Sequence, residues 1–179
     1  TFFEKHYAAA KSAGMDVGAY GVILSNTVEG ITNEANGFVQ ILKGKQFEMP
    51  VFCDWENFGL PKSNNKALNT QMIDTWCTIM QNNGYKAGFY CGTNWSSRVD
   101  INALAEKYVW WLPNYAISSK PANADIWQFT NGLVSGTSFN GSIAGKKLDQ
   151  NTTDIDYPTQ IKAAGLNGFS KGTPNTPAP

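Results

Sequence analysis

Three stretches of the chain place apolar and polar residues at helical spacing. Residues Phe2 to Ala13 are rich in alanine and other strong helix formers, and Gly14 follows as a residue that adopts the positive φ of a helix end. Residues Ile31 to Leu42 and Leu68 to Asn82 show the same period, and Gly84 follows the second of them. The pattern therefore predicts helices over these three ranges.

Short runs rich in β-branched and aromatic residues separate these helices and predict four strands. The predicted strands are Met15 to Ile23 (MDVGAYGVI), Pro50 to Trp55 (PVFCDW), Tyr85 to Cys91 (YKAGFYC) and Val109 to Leu112 (VWWL). A further short helix is expected over Ala103 to Lys107. After Trp111 the helical signal fades, and strands are predicted over Ile126 to Thr130 and Ile143 to Leu148. The last third is therefore expected to be richer in β than in α structure.

The succession of helix, glycine and strand occurs twice, at an offset of 70 residues. Gly18 and Tyr20 in the first copy align with Gly88 and Tyr90 in the second, and the helix-ending glycine recurs at Gly165. Strands that alternate with helices of ten or more residues require parallel pairing through crossover helices. The chain is therefore predicted to be α/β, and a doubly wound sheet and a barrel both fit this pattern.

The length of the chain fits one domain, since domains average roughly 150 residues. We expect this domain to span residues 1–167. Residues 168–179 (GFSKGTPNTPAP) lose all periodicity and are rich in Pro, Thr and Gly. That composition is typical of a linker or a disordered tail.

The charge balance argues against two classes of partner. Fourteen Lys and Arg residues face 14 Asp and Glu residues, so no net positive field is available for a nucleic-acid backbone or an anionic membrane. No apolar run is long enough to span a membrane, and residues 1–10 lack the apolar stretch of a secretory signal. We expect neither nucleic acid nor membrane as a partner. Aromatic residues make up 13% of the chain, which indicates a large core or a ring-lined ligand cleft.

Cysteine and histidine chemistry has little support. Cys53, Cys77 and Cys91 are too few and too scattered for a disulfide framework or a zinc site. Strand parity turns Cys53 and Cys91 toward the helices, so we predict buried, structural thiols. His6, the single histidine, lies on the first helix without an evident partner, which argues against a Ser-His-Asp or Cys-His mechanism.

The predicted strand that begins at Pro50 leads into two acidic residues. Side chains alternate along a strand, so Asp54 and Glu56 project to one side with Cα atoms about 7 Å apart. When two carboxyl groups lie so close together, repulsion between their charges keeps one of them protonated beside an ionised partner. Glycoside hydrolysis requires this combination. The alternative is a solvated strand end. A metal site formed by this pair with Asp149 has no spacing signature, and no metal is expected.

Functional groups of parallel α/β folds gather at the C-terminal ends of the strands. Tyr20, Asp54, Glu56, Tyr90 and Trp111 all lie at or near such ends. Aromatic rings stack on the apolar face of sugars, so an acid pair ringed by them indicates a sugar substrate. Core packing is the alternative for each ring.

Seven short motifs follow one another along the chain. They are AK-x-AGM-x-VG-x-Y (Ala10 to Tyr20), EANGF (Glu34 to Phe38), PVF-x-DWE (Pro50 to Glu56), GYKAGFY (Gly84 to Tyr90), W-x-PNY (Trp111 to Tyr115), IWQFT (Ile126 to Thr130) and LDQN (Leu148 to Asn151). In this order they resemble family 25 glycoside hydrolases, the lysozymes or N-acetylmuramidases. The resemblance implies cleavage of the β-1,4 bond between N-acetylmuramic acid and N-acetylglucosamine in peptidoglycan, without a cofactor. It also implies a TIM-like (β/α) barrel with an irregular, β-rich C-terminal third.

The resemblance implies roles for individual residues. Glu56 matches the general acid, Asp54 its partner carboxylate and Asp149 the late aspartate of the final strand. Asp154 and Asp156 match less well, because they lie past the strand-like run. The positions that match the lining of the cleft are Tyr20, Tyr90, Trp111, Tyr115 and Gln128.

Two features depart from the family pattern. Trp55 stands where a small aliphatic residue is more usual, but strand alternation turns it away from the cleft. The family's first strand, helix and second strand are not found, so about 40 residues of a barrel are expected to be missing. Without them the sheet is expected to have open edges unless another segment completes it.

The resemblance also implies a location and partners. We expect action on peptidoglycan glycan strands at the cell wall, outside the cell, and a wall-binding module beyond residue 179 is compatible with the tail. Two other functions stay open. A chitinase-like β-1,4-N-acetylglucosaminidase also uses Asp-x-Glu, although Met49 and Phe52 occupy places where its motif has aspartates. The other is a non-catalytic fragment that binds cell-wall glycan.

Overall fold

Six strands form one sheet in the computed structural model, which describes residues 1–59, 61–132, 142–143 and 146–171. Their order in the sheet is β1-β2-β3-β4-β5-β8, and two further strands, β6 and β7, form a separate antiparallel pair. The strands are β1 (Ala19–Val22), β2 (Val51–Asp54), β3 (Ala87–Tyr90), β4 (Val109–Pro113), β5 (Ile126–Thr130), β6 (Ser142–Ile143), β7 (Lys146–Lys147) and β8 (Gln150–Thr153).

Five α-helices lie in the described part of the chain. They are α1 (Phe2–Ser12), α2 (Val28–Leu42), α3 (Lys66–Asn82), α4 (Ile101–Ala105) and α5 (Tyr157–Ala164). Each begins at a Thr, Asn or Asp whose side-chain oxygen accepts a hydrogen bond from a backbone N–H of the first turn, which satisfies a donor that the helix itself leaves free. Gly14, Gly84 and Gly165 follow helices with positive φ, as the repeated pattern predicts.

The sheet is of the barrel type. Strands β1 to β5 are parallel and follow one another in chain order, and β8 joins β5 antiparallel. A doubly wound sheet would reverse its order at a switch point, so that alternative is not formed. In a flat sheet β1 and β4 would lie about 14 Å apart, yet the rings of Tyr20 and Trp111 are 6.1 Å apart between centroids. The mixed α/β fold with a mainly parallel, curled sheet is as predicted.

Alternation along the strands divides the apolar residues between two clusters. On β2, Val51 and Cys53 pack in the larger cluster between the sheet and its helices, whereas Phe52 belongs to a smaller one. In the smaller cluster Tyr157 and Ile161 of α5 pack against the inner face of the sheet. The larger cluster also contains all three cysteines, which are free and buried, as predicted.

Several predicted elements differ from the structure. The first strand is shorter than predicted, and the helix expected over 103–107 begins at Ile101. The single strand predicted over 143–148 is wrong, because β6 and β7 are two separate strands that pair with each other. The strand that joins the sheet is β8, whose sequence QNTT lacks the apolar alternation used to find strands. Of helix α5, the sequence predicted only the glycine that ends it, Gly165.

Asn167 fastens the chain that follows α5 to the entry side of the sheet. Its Oδ1 accepts from the Lys86 N–H (2.6 Å), and its Nδ2 donates to the carbonyls of Phe47 (3.1 Å) and Met49 (2.9 Å). The side chain is fully buried, and the backbone has φ of 54°. One asparagine therefore joins the segment before β2 to the segment before β3.

Packing continues beyond Asn167. The Phe169 ring packs against the smaller apolar cluster, and Gln46 Nε2 donates to the Gly168 carbonyl at 3.3 Å. Residues 172–179 of the predicted tail lie outside the described residues. The division at residue 167 therefore stays a prediction.

Replacing Asn167 with Ala should lower the free energy of unfolding by about 2–4 kcal/mol, because three buried or partly buried backbone groups lose their partners. Replacing it with Gly removes the same hydrogen bonds without strain at positive φ, so that variant should also be destabilised. Urea unfolding measures both, with Asn102→Ala on the exposed face of α4 as the control. Wild-type stability in the Ala and Gly variants would contradict this role.

Candidate active site

The parallel strands bring polar and aromatic side chains to one opening of the sheet. In register, Val22 of β1, Asp54 of β2, Tyr90 of β3 and Trp111 of β4 lie side by side. A cavity of about 280 Å³ opens there. It is lined by Tyr20, Asp54, Glu56, Tyr90, Trp111, Gln128, Asp149 and Asn151.

Asp54 is the deepest acid of this cavity. It is the last residue of β2, it is 6% exposed, and its Oδ1 is buried without a hydrogen-bond partner among the described residues. Burial, followed by repulsion from and hydrogen bonding to Glu56, raises the pKa of Asp54 from 3.8 to about 7. The positive charge of Lys62 opposes this rise. A carboxyl group that titrates near neutrality is suited to proton transfer.

Glu56 lies two residues further on and is half-buried. Burial raises its pKa, and the negative charge of Asp149 adds to the rise, whereas the hydrogen bond from Asp54 lowers it. Burial and like charge therefore favour retention of a proton by these two neighbouring acids. Asp149 reaches the cavity from the residue before β8, so the final strand supplies a third carboxylate.

Trp111 forms the centre of an aromatic wall. Its ring makes edge contacts with Tyr90 (4.9 Å between centroids), Phe52 (5.0 Å) and Tyr20 (6.1 Å). Its Nε1 donates to Asn151 Oδ1 at 2.8 Å, which fixes the indole from the side of β8. Tyr20 keeps 57% of its surface exposed, so the wall presents a ring to solvent at the mouth of the cavity.

Two tyrosines converge on Gln128. Tyr90 and Tyr115 both donate their hydroxyl hydrogens to Gln128 Oε1, at 2.9 and 2.6 Å. Gln128 is 3% exposed, so this pair of hydrogen bonds orients both phenol groups at the rim. With their hydrogens directed at Gln128, the two oxygens are left as acceptors for a ligand.

A second, more apolar cavity of about 260 Å³ adjoins the first. Tyr20, Trp111 and Asn151 line both. Its remaining lining is Gly18, Ala19, Met49, Phe52 and Ile126. The inner face of the curled sheet is therefore apolar beneath an acidic opening.

The structure brings together the residues that the sequence singled out. Seven of them line the acidic cavity, and Tyr115 joins them through Gln128. Trp55 points away from it into the larger apolar cluster, as alternation predicts. Asp154 and Asp156, the two acids that match the family pattern less well, do not line this cavity. Asp154 pairs with Lys120, and Asp156 caps α5.

Sequence reasoning missed one residue of the lining, Asn151. It lies two positions after Asp149, so strand alternation puts both side chains on one face. That spacing was visible in the LDQN motif. The exposed His6 lies on α1, in contact with Phe2 and outside the acidic cavity.

Among the described residues, no group of three or more His, Cys, Asp or Glu side chains is arranged to hold a metal ion. Within the same residues, no helix is both long and apolar enough to cross a membrane.

Comparison with known proteins identifies a family. The profile described as Glycosyl hydrolases family 25 matches residues 1–137. None of the curated proteins compared with the chain matches it.

Solved structures resemble the fold. The CTP1L endolysin superposes with a TM-score of 0.68 at 22% identity, over 91% of this chain and 56% of its own. The catalytic domain of endolysin ply40 from bacteriophage P40 of Listeria monocytogenes has a TM-score of 0.64 at 24% identity, over 88% of this chain and 77% of its own. The modular autolysin LytC from Streptococcus pneumoniae was solved with a synthetic peptidoglycan ligand. It has a TM-score of 0.62 at 14% identity, over 73% of this chain and 33% of its own. The chain thus spans little more than half the length of the CTP1L endolysin.

Replacing Asp54 with Asn should stabilise the protein at pH 8. Because the folded pKa of Asp54 is raised, its contribution is fully present below pH 3.8 and is lost as the pH rises through about 7. Asparagine does not titrate, so the variant should gain about 2–4 kcal/mol over the wild type at pH 8 and almost nothing at pH 4. Urea unfolding at both pH values measures this, with exposed Asp16→Asn as the control. A gain that is equal at both pH values would count against the raised pKa.

Proposed function

The chain belongs to the glycosyl hydrolases family 25, and from that premise we propose that it is a lysozyme that hydrolyses the β-1,4 bond between N-acetylmuramic acid and N-acetylglucosamine in peptidoglycan. The observation that carries the proposal is the coupled pair of Asp54 and Glu56 inside an aromatic cleft. Glycoside hydrolysis needs a protonated and an ionised carboxyl group on opposite sides of one bond. The pair supplies both near neutral pH.

We assign the general acid to Glu56. It is the more exposed member of the pair, so a glycosidic oxygen in the cleft can approach it more closely than it can approach buried Asp54. Burial and then the carboxylate of Asp149 raise the pKa of Glu56 and so favour its protonated form, against the hydrogen bond from Asp54, which lowers it. When the shared proton passes from Glu56 to the leaving oxygen, Asp54 is left ionised.

Ionised Asp54 then faces the positive charge that develops at the anomeric carbon. It acts there either as a nucleophile or by orienting the substrate's own acetamido group. Both routes retain the configuration of the anomeric carbon, and anomer-resolved NMR of the first product distinguishes them from a route that inverts it.

The aromatic wall supplies the binding surface. Tyr20 and Trp111 offer ring faces on which a pyranose can stack, and Tyr90 and Tyr115 offer hydroxyl oxygens to its N–H and O–H groups. The LytC autolysin, which has a similar fold, was solved with a peptidoglycan ligand, which supports glycan strands as the partner. We accordingly propose action at the cell wall, and a wall-binding module beyond residue 179 stays a prediction.

Replacing Glu56 with Gln should lower the rate of lysis of a cell-wall suspension by about 100-fold or more, since the proton donor is lost. The isosteric change should leave the fold intact, as checked by circular dichroism. Glu106→Gln, which removes an exposed carboxylate outside the cavity, is the matched control. Undiminished lysis by the Glu56→Gln variant would overturn the assignment.

Substrate comparison separates the remaining functions. We expect release of reducing ends from peptidoglycan at a rate at least about tenfold above that from chitin oligomers. Faster hydrolysis of chitin oligomers would favour a chitinase-like enzyme. Retention of the protein on insoluble cell wall with no reducing ends released would favour a glycan-binding fragment.

A further inference from the structure

Lys62 is a buried cation behind the acid pair, and none of the roles assigned above uses it. The residue is 7% exposed. Its Nζ donates to the carbonyls of Ile23 (2.6 Å), Ser25 (3.1 Å) and Phe58 (3.2 Å). An ammonium group has three donors, so all three are used. Lys62 thereby joins the loop that leaves β1 to the loop that leaves β2.

The second of these loops carries the proposed general acid. Glu56 lies between the end of β2 at Asp54 and the Phe58 carbonyl that Lys62 holds. Within this segment Trp55 is fully buried, and Lys62 Nζ lies 5.3 Å from the centroid of its ring. The ammonium group therefore contacts the segment on both sides of Glu56.

Helix α2 completes this arrangement through Glu34. One carboxylate oxygen of Glu34 accepts from the Ser25 N–H (2.9 Å) and hydroxyl (2.7 Å), and the other is buried without a hydrogen-bond partner among the described residues. Burial lowers the pKa of Lys62, whereas the negative charges of Glu34 and Asp54 raise it. A buried ammonium group is costly unless it is paired, so its position beside two acids calls for an explanation.

We propose that Lys62 is a positioning residue of the catalytic centre: through its hydrogen bonds to the Ile23, Ser25 and Phe58 carbonyls, its buried ammonium group fixes the loop that carries Glu56 and places a positive charge behind Asp54. This inference rests on the proposed glycoside hydrolysis. Lys62 does not line the acidic cavity, so it acts through the acid pair and not on the substrate.

Ile23 links Lys62 to Asp54, because its carbonyl accepts from Lys62 Nζ at 2.6 Å and its N–H donates to the Asp54 carbonyl at 3.1 Å. The electrostatic surroundings of Asp54 fix the sign of the effect. Besides Lys62, the titratable groups that face it are Glu56, Cys53 of β2, Tyr20 of β1 and Tyr90 of β3. Each of these is neutral or negative, so none replaces the positive charge of Lys62. Removing that charge should make Asp54 harder to ionise.

The test compares Lys62→Met with the wild type. Methionine keeps an apolar stem but has neither charge nor donors. We expect kcat on peptidoglycan to fall about tenfold or more with KM nearly unchanged, since the cleft lining is intact. The acid limb of the pH profile of kcat/KM should move up by about half a unit to one unit. Lys62→Arg, which keeps the charge, should leave that limb at its wild-type position.

A second variant keeps the inference testable if Lys62→Met fails to fold. Lys62→Gln keeps an amide donor but removes the charge, so the acid limb should move up in this variant as it does in Lys62→Met. A purely structural role of Lys62 would lower stability in both variants without shifting the limb. Unshifted limbs would therefore overturn the electrostatic part of the proposal.

NMR titration of the Asp54 carboxyl carbon distinguishes failure of this inference from failure of the proposed function. Its titration midpoint should move up in Lys62→Met whether or not the protein hydrolyses peptidoglycan. An active wild type, an inactive Glu56→Gln variant and an unchanged Asp54 midpoint in Lys62→Met would leave the function standing and remove this inference. An inactive wild type with a shifted midpoint would remove the catalytic role and retain the electrostatic one.

Discussion

The burial of a carboxyl group at the end of a central parallel strand is the constraint on which the rest of the site depends. Asp54 has little access to solvent and one oxygen without a partner, so its charge is stabilised chiefly by neighbours. Glu56 and Asp149 add negative charge to the same cavity. At neutral pH such a cluster carries fewer negative charges than it has carboxyl groups, because one group stays protonated. The proposed reaction needs this retained proton.

The curled sheet makes this cluster possible. Strands in chain order bring Asp54, Tyr90 and Trp111 into one row, and β8 approaches from the far side with Asp149 and Asn151. Closure at the opposite end of the sheet comes from α5 and from Asn167. Stability and chemistry are thus separated along the strand axis, with apolar packing at the base and the costly charges at the opening.

Much of this arrangement could be predicted from residue patterns. Apolar periodicity located the long helices and the buried strands, and period-two alternation placed Asp54 and Glu56 on one side and Trp55 on the other. The parts that were missed lack such a signal. Strand β8 is polar, since its residues are no better than half-buried at the edge of the sheet. Lys62 and Asn167 act through hydrogen bonds to backbone groups distant in sequence, and no local pattern encodes those partners.

The central claim is that Asp54 and Glu56 share one proton near neutral pH, and NMR titration of their side-chain carboxyl carbons in the wild-type protein tests it most directly. The account predicts two coupled transitions, each above the ordinary pKa of its own group, with Asp54 still partly protonated near pH 7. Two independent transitions near pH 4 would contradict it, because both acids would then be ionised when the substrate binds.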